Sequence, residues 1–402
     1  MKYIILNLIF GGGTLHSVIG QNYADTLNRI IEAIYQKSEL PGFSVSIMDA
    51  TGVLYSKGYG YANKEKMIPY TEYTTQPIAS ISKTFIALAL MKTIEEGHFT
   101  LETPVNKILP FKVTNPYFPN DTIRIKHLAT HTSGILDGDI YWSKGYFLLE
   151  PPQFEDKAYT EAEREFFQMI LPNKRIDDKT FIRDYLTLEG KWYSTDHFSN
   201  TSPGSNYEYC NIGAALTAYI VETAQKKTYS EYLRQTVFQH LKMTSTNWEF
   251  DPPVDPKKEA IQYLNNGDPC PSYSFSTYAD GAIRSSVFDL QKYLVEMIKG
   301  SVGEGQLVDK NSYKMMFTQI LDIDESDGMG LFWFTQKRLG DKFHQGSGAG
   351  ITTVISFNPA DQLGCMILCN HETDNEQQSE AYVAIWKVLI KYRRLLTNGK
   401  RF

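Results

Sequence analysis

The sequence predicts an α+β fold: an antiparallel sheet flanked by helices from both termini, with a mostly helical lobe inserted between its strands. Three observations carry this. Period-two strand pairs stand near both ends of the chain, and amphipathic helices lie outside them. The long middle combines helical periodicity with irregular segments. At 402 residues, the chain is long enough for two or three domain-sized units.

Residues 1–20 resemble an export signal, with Lys2 as the positive start, an apolar Tyr3 to Phe10, and Val18-Ile19-Gly20 before a cut. This predicts a periplasmic or secreted protein. No cysteine lies near that cut to carry a lipid anchor. Tyr23 to Lys37 spaces Leu27, Ile30, Ile31 and Ile34 as an amphipathic helix, which Pro41-Gly42 ends. Phe43, Val45 and Ile47 alternate with Ser44 and Ser46, the pattern of a half-buried strand. Asp49 to Gly52 is a turn, and Val53 to Tyr61 returns as the second strand of a hairpin. Thr352 to Phe357 and Leu363 to Leu368 form a second pair around Asn358-Pro359-Ala360-Asp361, and Tyr382 to Leu395 closes as an apolar-striped helix. The sheet lobe is thus expected at about 21–78 plus 280–402, and the helical lobe at about 79–279. Within it, 136–201 is the least regular stretch, rich in aromatics. It reads equally as a lid or as a helical insertion packed on the surface.

Composition narrows the function. Hydrophobic content of 42% with 21% charged residues is globular and excludes disorder. A net charge of −6, without a basic run, disfavours nucleic-acid binding. Beyond the leader, no run approaches the ~20 apolar residues that span a bilayer. The 26 tyrosines suit an enclosed substrate cleft and suit core packing nearly as well. Four cysteines do not make a disulfide framework. Cys365 and Cys369 are too far apart along a strand to bridge, and Cys210 and Cys270 could pair only through tertiary contact, so buried free thiols are expected.

Three local elements carry chemistry. Ser80-Ile81-Ser82-Lys83 opens a helix that is apolar nearly all round, and Gly97 ends it. Three residues apart, Ser80 and Lys83 share a face. A lysine held in a core loses solvation and becomes a base toward the serine. A plain serine cap with a snorkelling lysine fits the same letters. Tyr209-Cys210-Asn211 precedes an apolar helix that Asn211 could simply cap. His344-Gln345-Gly346 stands before the strand from Thr352.

Together, and in this order, the three resemble the penicillin-recognising serine hydrolases of the class C β-lactamase type. That family includes D-alanyl-D-alanine carboxypeptidases, D-aminopeptidases and esterases. His127-Leu128-Ala129-Thr130-His131-Thr132-Ser133-Gly134, Gly281 to Ser286 with Asp289-Leu290, Gly330 to Trp333, and Gly350 and Asn370 extend the match over most of the chain. The resemblance implies a β-lactamase/transpeptidase-like fold with Ser80 as nucleophile, Lys83 as its activating partner and Tyr209 as a second proton relay. It implies Asn211 on the substrate amide and on Lys83. His344 and Gly346 would line the cleft, with the N–H groups of Ser80 and Ser347 as the oxyanion hole. No cofactor or metal is implied: His127 and His131 have ligand spacing, but Leu128 stands where a zinc protease needs Glu.

Departures shape the expected activity. His344 stands where lactamases carry a lysine that anchors a substrate carboxylate, and imidazole is only partly charged at neutral pH. Ala282 and Phe332 each replace a usual glycine with no chemistry at stake. The expected function is a serine hydrolase acting through an acyl-enzyme on a peptide or small-molecule amide or ester. The alternatives are a weak β-lactamase and a cell-wall-binding module without turnover.

Overall fold

Strands from the two ends of the chain meet in one antiparallel sheet. The computed structural model describes residues 13–150, 159–251, 255, 258–373 and 375–397; most of the export-like leader lies outside them. The sheet strands are β1 (Gly42–Asp49), β2 (Gly52–Asn63), β3 (Ile68–Pro69), β4 (Leu321–Asp322), β5 (Asp327–Met329), β6 (Phe334–Gln336), β7 (Asp341–Gly348), β8 (Ile351–Asn358) and β9 (Leu363–Cys369). Their order is β3-β2-β1-β9-β8-β7-β6-β5-β4. The termini join where β1 pairs β9, from Phe43 opposite Cys369 to Asp49 opposite Leu363.

Five longer helices organise the rest: α1 (Gly13–Tyr35), α2 (Ser82–Glu95), α3 (Asn211–Gln225), α4 (Val287–Ser301) and α5 (Glu376–Thr397). Helices α1 and α5 pack on each other and bury Leu27, Ile31, Ile385 and Leu389 against Phe43, Val45, Ile47 and Ile367. The other sheet face takes α4. There a side chain on Gly364 would press into Leu294 and Ile298, at 3.2 and 3.0 Å. Strand β1 is therefore buried on both faces, not half-buried as its alternation predicted. Its serines tolerate this because they are bonded: Ser44 Oγ and Ser46 Oγ donate to the carbonyls of Lys57 and Tyr55.

Helix α2 is buried nearly all round, as its apolar sequence predicted, and runs beside α3 in the main core. The stretch 136–201 is more regular than its sequence suggested. It holds helices at Asp139–Gly145, Glu161–Ile170 and Asp178–Leu186, and its short strand Tyr146–Leu148 pairs with Tyr273–Phe275. All three are short, and the second and third begin at side-chain caps, Thr160 and Asp177, while the first follows Gly138 with no side-chain cap. All four cysteines are buried free thiols. Among the described residues, no helix is long and apolar enough to cross a membrane.

Candidate active site

The serine of the first element sits on a forced turn. Thr75–Pro77 pairs with Arg284–Ser286, and the chain then bends through a short 3-10 turn, Ala79–Ile81, before α2 begins at Ser82. Ala79 takes φ 47°, a left-handed conformation costly for a residue with a side chain. The turn lifts Ser80 out of the helix, so Ser80 caps nothing; the cap position is Ile81, which makes no side-chain bond. Lys83 is wholly buried. Its ammonium donates to Ser80 Oγ at 3.1 Å, Asn211 Oδ1 at 2.7 Å and the Asp280 carbonyl at 2.7 Å. Three donors meet three acceptors.

Asn211 is the first residue of α3 and not its cap. Cys210 holds that place, its sulfur accepting from the Gly213 N–H. The orphan amides beyond it go to Asp137, whose carboxylate accepts from the Asn211 and Ile212 N–H groups and from Asn211 Nδ2. This leaves the Asn211 carbonyl free for Lys83. Burial raises the Asp137 carboxyl pKa, and those amides and Lys83 work against it. Tyr209 is partly exposed, with Lys83 Nζ 5.2 Å from its ring centre. Its ring leans on His131 at 4.5 Å. His131 Nδ1 accepts the Cys210 N–H, and burial with nearby Lys83 drives its pKa well down, so it stays neutral and acts as a buttress.

The third element lies on a sheet edge. Strand β6 pairs only Asp341 to Phe343 of β7, which leaves His344 to Gly348 open along the cleft. Gly346 is required by contact: a Cβ there would meet Thr353 Oγ1 at 2.5 Å and the Ile78 carbonyl at 2.6 Å, beneath the serine turn. Ser347 is exposed beside it. His344 departs from expectation. It is buried, its Nδ1 donates to the Gln345 carbonyl at 2.7 Å, and burial followed by Lys83 pushes its pKa down to about 3. It is neutral at every physiological pH, not partly charged.

A family model described as Beta-lactamase matches residues 27–390. The chain belongs to the β-lactamase family. It is therefore a member of the β-lactamase and penicillin-binding serine hydrolase superfamily. Protein flp of Staphylococcus aureus (strain NCTC 8325 / PS 47) is 27% identical over 348 residues, covering 86% of this chain and 62% of its own length. The mouse serine beta-lactamase-like protein LACTB, mitochondrial, is 26% identical over 329 residues, 71% of this chain and 59% of that protein. The chain thus spans less than two thirds of these curated relatives. An octameric penicillin-binding protein homologue from Pyrococcus abyssi matches with TM-score 0.68 and 26% identity, over 91% of this chain and 77% of that one. A class C beta-lactamase matches at TM-score 0.68 and 20% identity, over 91% and 96%, which shows the shared fold.

Within this β-lactamase-family chain, Ser80, Tyr209, Asn211, His344 and Ser347 all line one cleft of about 940 Å³, with Lys83 and Gly346 directly behind them. Its walls are aromatic, and Tyr141, Trp142, Tyr146 and Phe166 come from the 136–201 stretch. That stretch is both a helical insertion and a wall of the site. Sequence reasoning missed Asp137 and Asp280. Asp280 offers its carbonyl to Lys83, while its buried carboxylate accepts from Tyr141 and Thr277. Burial raises that carboxyl to about 7. No motif marks either acid, though Asp137 lies three residues beyond the Gly134 signature. Phe332 holds φ 51°, which explains why a glycine is usual there: the backbone, and not chemistry, sets that position.

Proposed function

We propose that the protein is a serine hydrolase that acts through an acyl-enzyme on esters or amides lacking a carboxylate near the scissile bond. One observation carries the reading: buried Lys83 ties Ser80 at 3.1 Å to Asn211 at 2.7 Å, with the Tyr209 ring alongside. Ser80 Oγ attacks the carbonyl carbon and yields its proton to the Lys83–Tyr209 pair, which takes it in the form that has first lost one proton to solvent, Lys83 as the amine or Tyr209 as the phenolate. The developing oxyanion is taken by the N–H groups of Ser80 and Ser347. Collapse expels the leaving group with that proton, and water, activated by the same pair, then cleaves the acyl-enzyme.

Charge favours the substrate class. Neutral His344 supplies no fixed cation, and the cleft's Arg284 is already paired with Glu259 at 3.1 Å. A fluorophosphonate probe should label Ser80, identified by peptide mass, and Ser80→Ala should lose the label while staying folded. Simple aryl esters and aminoacyl amides should turn over faster than a chromogenic cephalosporin. Labelling that survives Ser80→Ala overturns the nucleophile. Cephalosporin turnover above that of the esters overturns the substrate class and makes the protein a lactamase, while labelling without turnover makes it a binding module.

A further inference from the structure

From the serine turn outward, one wall of the cleft is a continuous strip of aromatic rings. Where Tyr146–Leu148 pairs with Tyr273–Phe275, Tyr146 stands opposite Phe275, so Tyr146, Phe275 and Tyr273 share one face. The strip runs from the Phe275 ring to Tyr146 at 5.1 Å, then from Tyr146 to Trp142 at 5.6 Å and Phe166 at 5.7 Å. All these residues line the cleft. The inner end lies against the serine turn at Gly281. A Cβ there would meet the Phe275 ring at 2.8 Å and the backbone of Ala79, next to Ser80, at 3.7 Å. The outer end opens to solvent, where Trp142 and Leu149 are each 40% exposed. Polar groups on this wall already have protein partners. Tyr146 bonds Tyr141, Tyr273 donates to the Ala349 carbonyl at 3.3 Å, Glu249 bonds Ser274, and Arg284 pairs with Glu259. Single exposed apolar residues mean little. A contiguous apolar strip that leads to a nucleophile is hydrated at a cost that an apolar ligand relieves.

We propose that this strip seats the unbranched hydrocarbon chain of a fatty acyl ester, with the ester carbonyl at Ser80 and the chain running past Phe275 and Tyr146 toward Trp142. The proposal rests on the serine hydrolase reading and names its substrate class: fatty acyl esters, which water cleaves to a fatty acid and an alcohol. A chain touches successive rings in turn, and a short or compact acyl group does not reach the outer ones. The strip belongs to the acyl side of the ester. Tyr209, which with Lys83 hands the proton to the leaving group, packs on His131 and Phe334 instead of on these rings. Gly281 sets the inner end, because a side chain there would push Phe275 off the serine turn.

The test is a series of 4-nitrophenyl esters, acetate, butanoate, octanoate and dodecanoate, kept below their solubility limits. In the wild type, kcat/KM should rise by roughly two- to fourfold for each methylene that the strip buries, at least as far as octanoate. Trp142→Ala, at the outer end, should cost the octanoate about tenfold more than the butanoate. Gly281→Val, at the inner end, should already lower the ratio of butanoate to acetate. Ethyl octanoate should be cleaved faster than octyl acetate, which carries its chain on the alcohol. Fluorophosphonate labelling of Ser80 in the same samples separates the two readings. Labelled protein with a flat chain-length series, or with octyl acetate preferred, overturns the acyl-chain strip alone. A chain-length preference that survives both substitutions in labelled protein also overturns it. Wild type that is not labelled at Ser80 overturns the hydrolase reading and this proposal with it.

Discussion

Asp137 grips Asn211 twice, accepting from its backbone N–H and from its side-chain Nδ2, each at 2.8 Å. The side-chain bond fixes the amide orientation, because only a carbonyl turned the other way can accept from Lys83. Asp137 therefore acts on the nucleophile at one remove, through Asn211 and Lys83.

Asp137→Ala should lower kcat by roughly a hundredfold, the usual effect of letting a reacting group drift by an ångström, with KM moving less. It should also cost about 1 kcal/mol of stability as a lost helix cap. Cys210→Ala separates the two effects. It removes another cap bond of the same helix, to Gly213, and one thiol bond to Asp137, but keeps the bonds from Asp137 to Asn211, so it should lower Tm while costing far less kcat than Asp137→Ala. Equal kcat losses in both variants would reduce Asp137 to a cap.

Lys83 and Tyr209 are expected to work as one proton-transfer unit around Ser80. Groups that act together lose activity non-additively. The double substitution Lys83→Ala/Tyr209→Phe should then cost little more in kcat than the worse single change, each falling by about 10²–10⁴-fold. Additive losses would assign one of them a purely structural role.

Much of this was legible in the residues. The paired hairpins, the terminal helices and buried α2 follow from period and apolar content, which local patterning records directly. Other features depend on distant partners. Strand β1 reads as half-buried because its serines are polar, and only tertiary packing by α4 shows that both faces are covered. Asp137 and Asp280 act through contacts that cross 74 and 197 residues of sequence, and no spacing rule encodes such contacts. His344 was misread for the same reason: an imidazole's charge depends on how deeply its neighbours bury it.

Asp280 gives a stability test with a definite sign. Its carboxyl is raised from 3.8 to about 7 in the folded protein, chiefly by burial and against the pull of Lys83. A raised acid binds its proton more tightly when folded. Its contribution is full below the unfolded value and is lost as pH rises through about 7. Asp280→Asn removes the titration and keeps an oxygen for the Tyr141 hydroxyl. The variant should melt close to wild type at pH 4 and higher than wild type at pH 8, by roughly 2 °C or more. A Tm difference that does not vary with pH would mean that Asp280 stays ionised throughout.

His344 gives the opposite sign and bears on substrate choice. Its folded pKa of about 3 lies below the unfolded 6.5, because burial and Lys83 both disfavour the imidazolium. The neutral ring's stabilisation is complete above 6.5 and is lost as pH falls toward 3, at up to about 1.4 kcal/mol per pH unit. His344→Gln should therefore lose less Tm than wild type between pH 7 and 4. The same neutrality governs activity. An imidazole that titrated near 6.5 would help carboxylate-bearing substrates as the medium became acidic. This one cannot, so the ratio of kcat/KM for a carboxylate ester to that for its neutral analogue should stay flat from pH 7.5 to 5. His344→Lys places a cation where the wild type has none and should raise that ratio at neutral pH. Its ammonium would sit near Lys83, so the gain should come with a lower Tm. If the wild-type ratio climbs as pH drops through 6.5, His344 is charged in the working enzyme, and the cleft takes carboxylates after all.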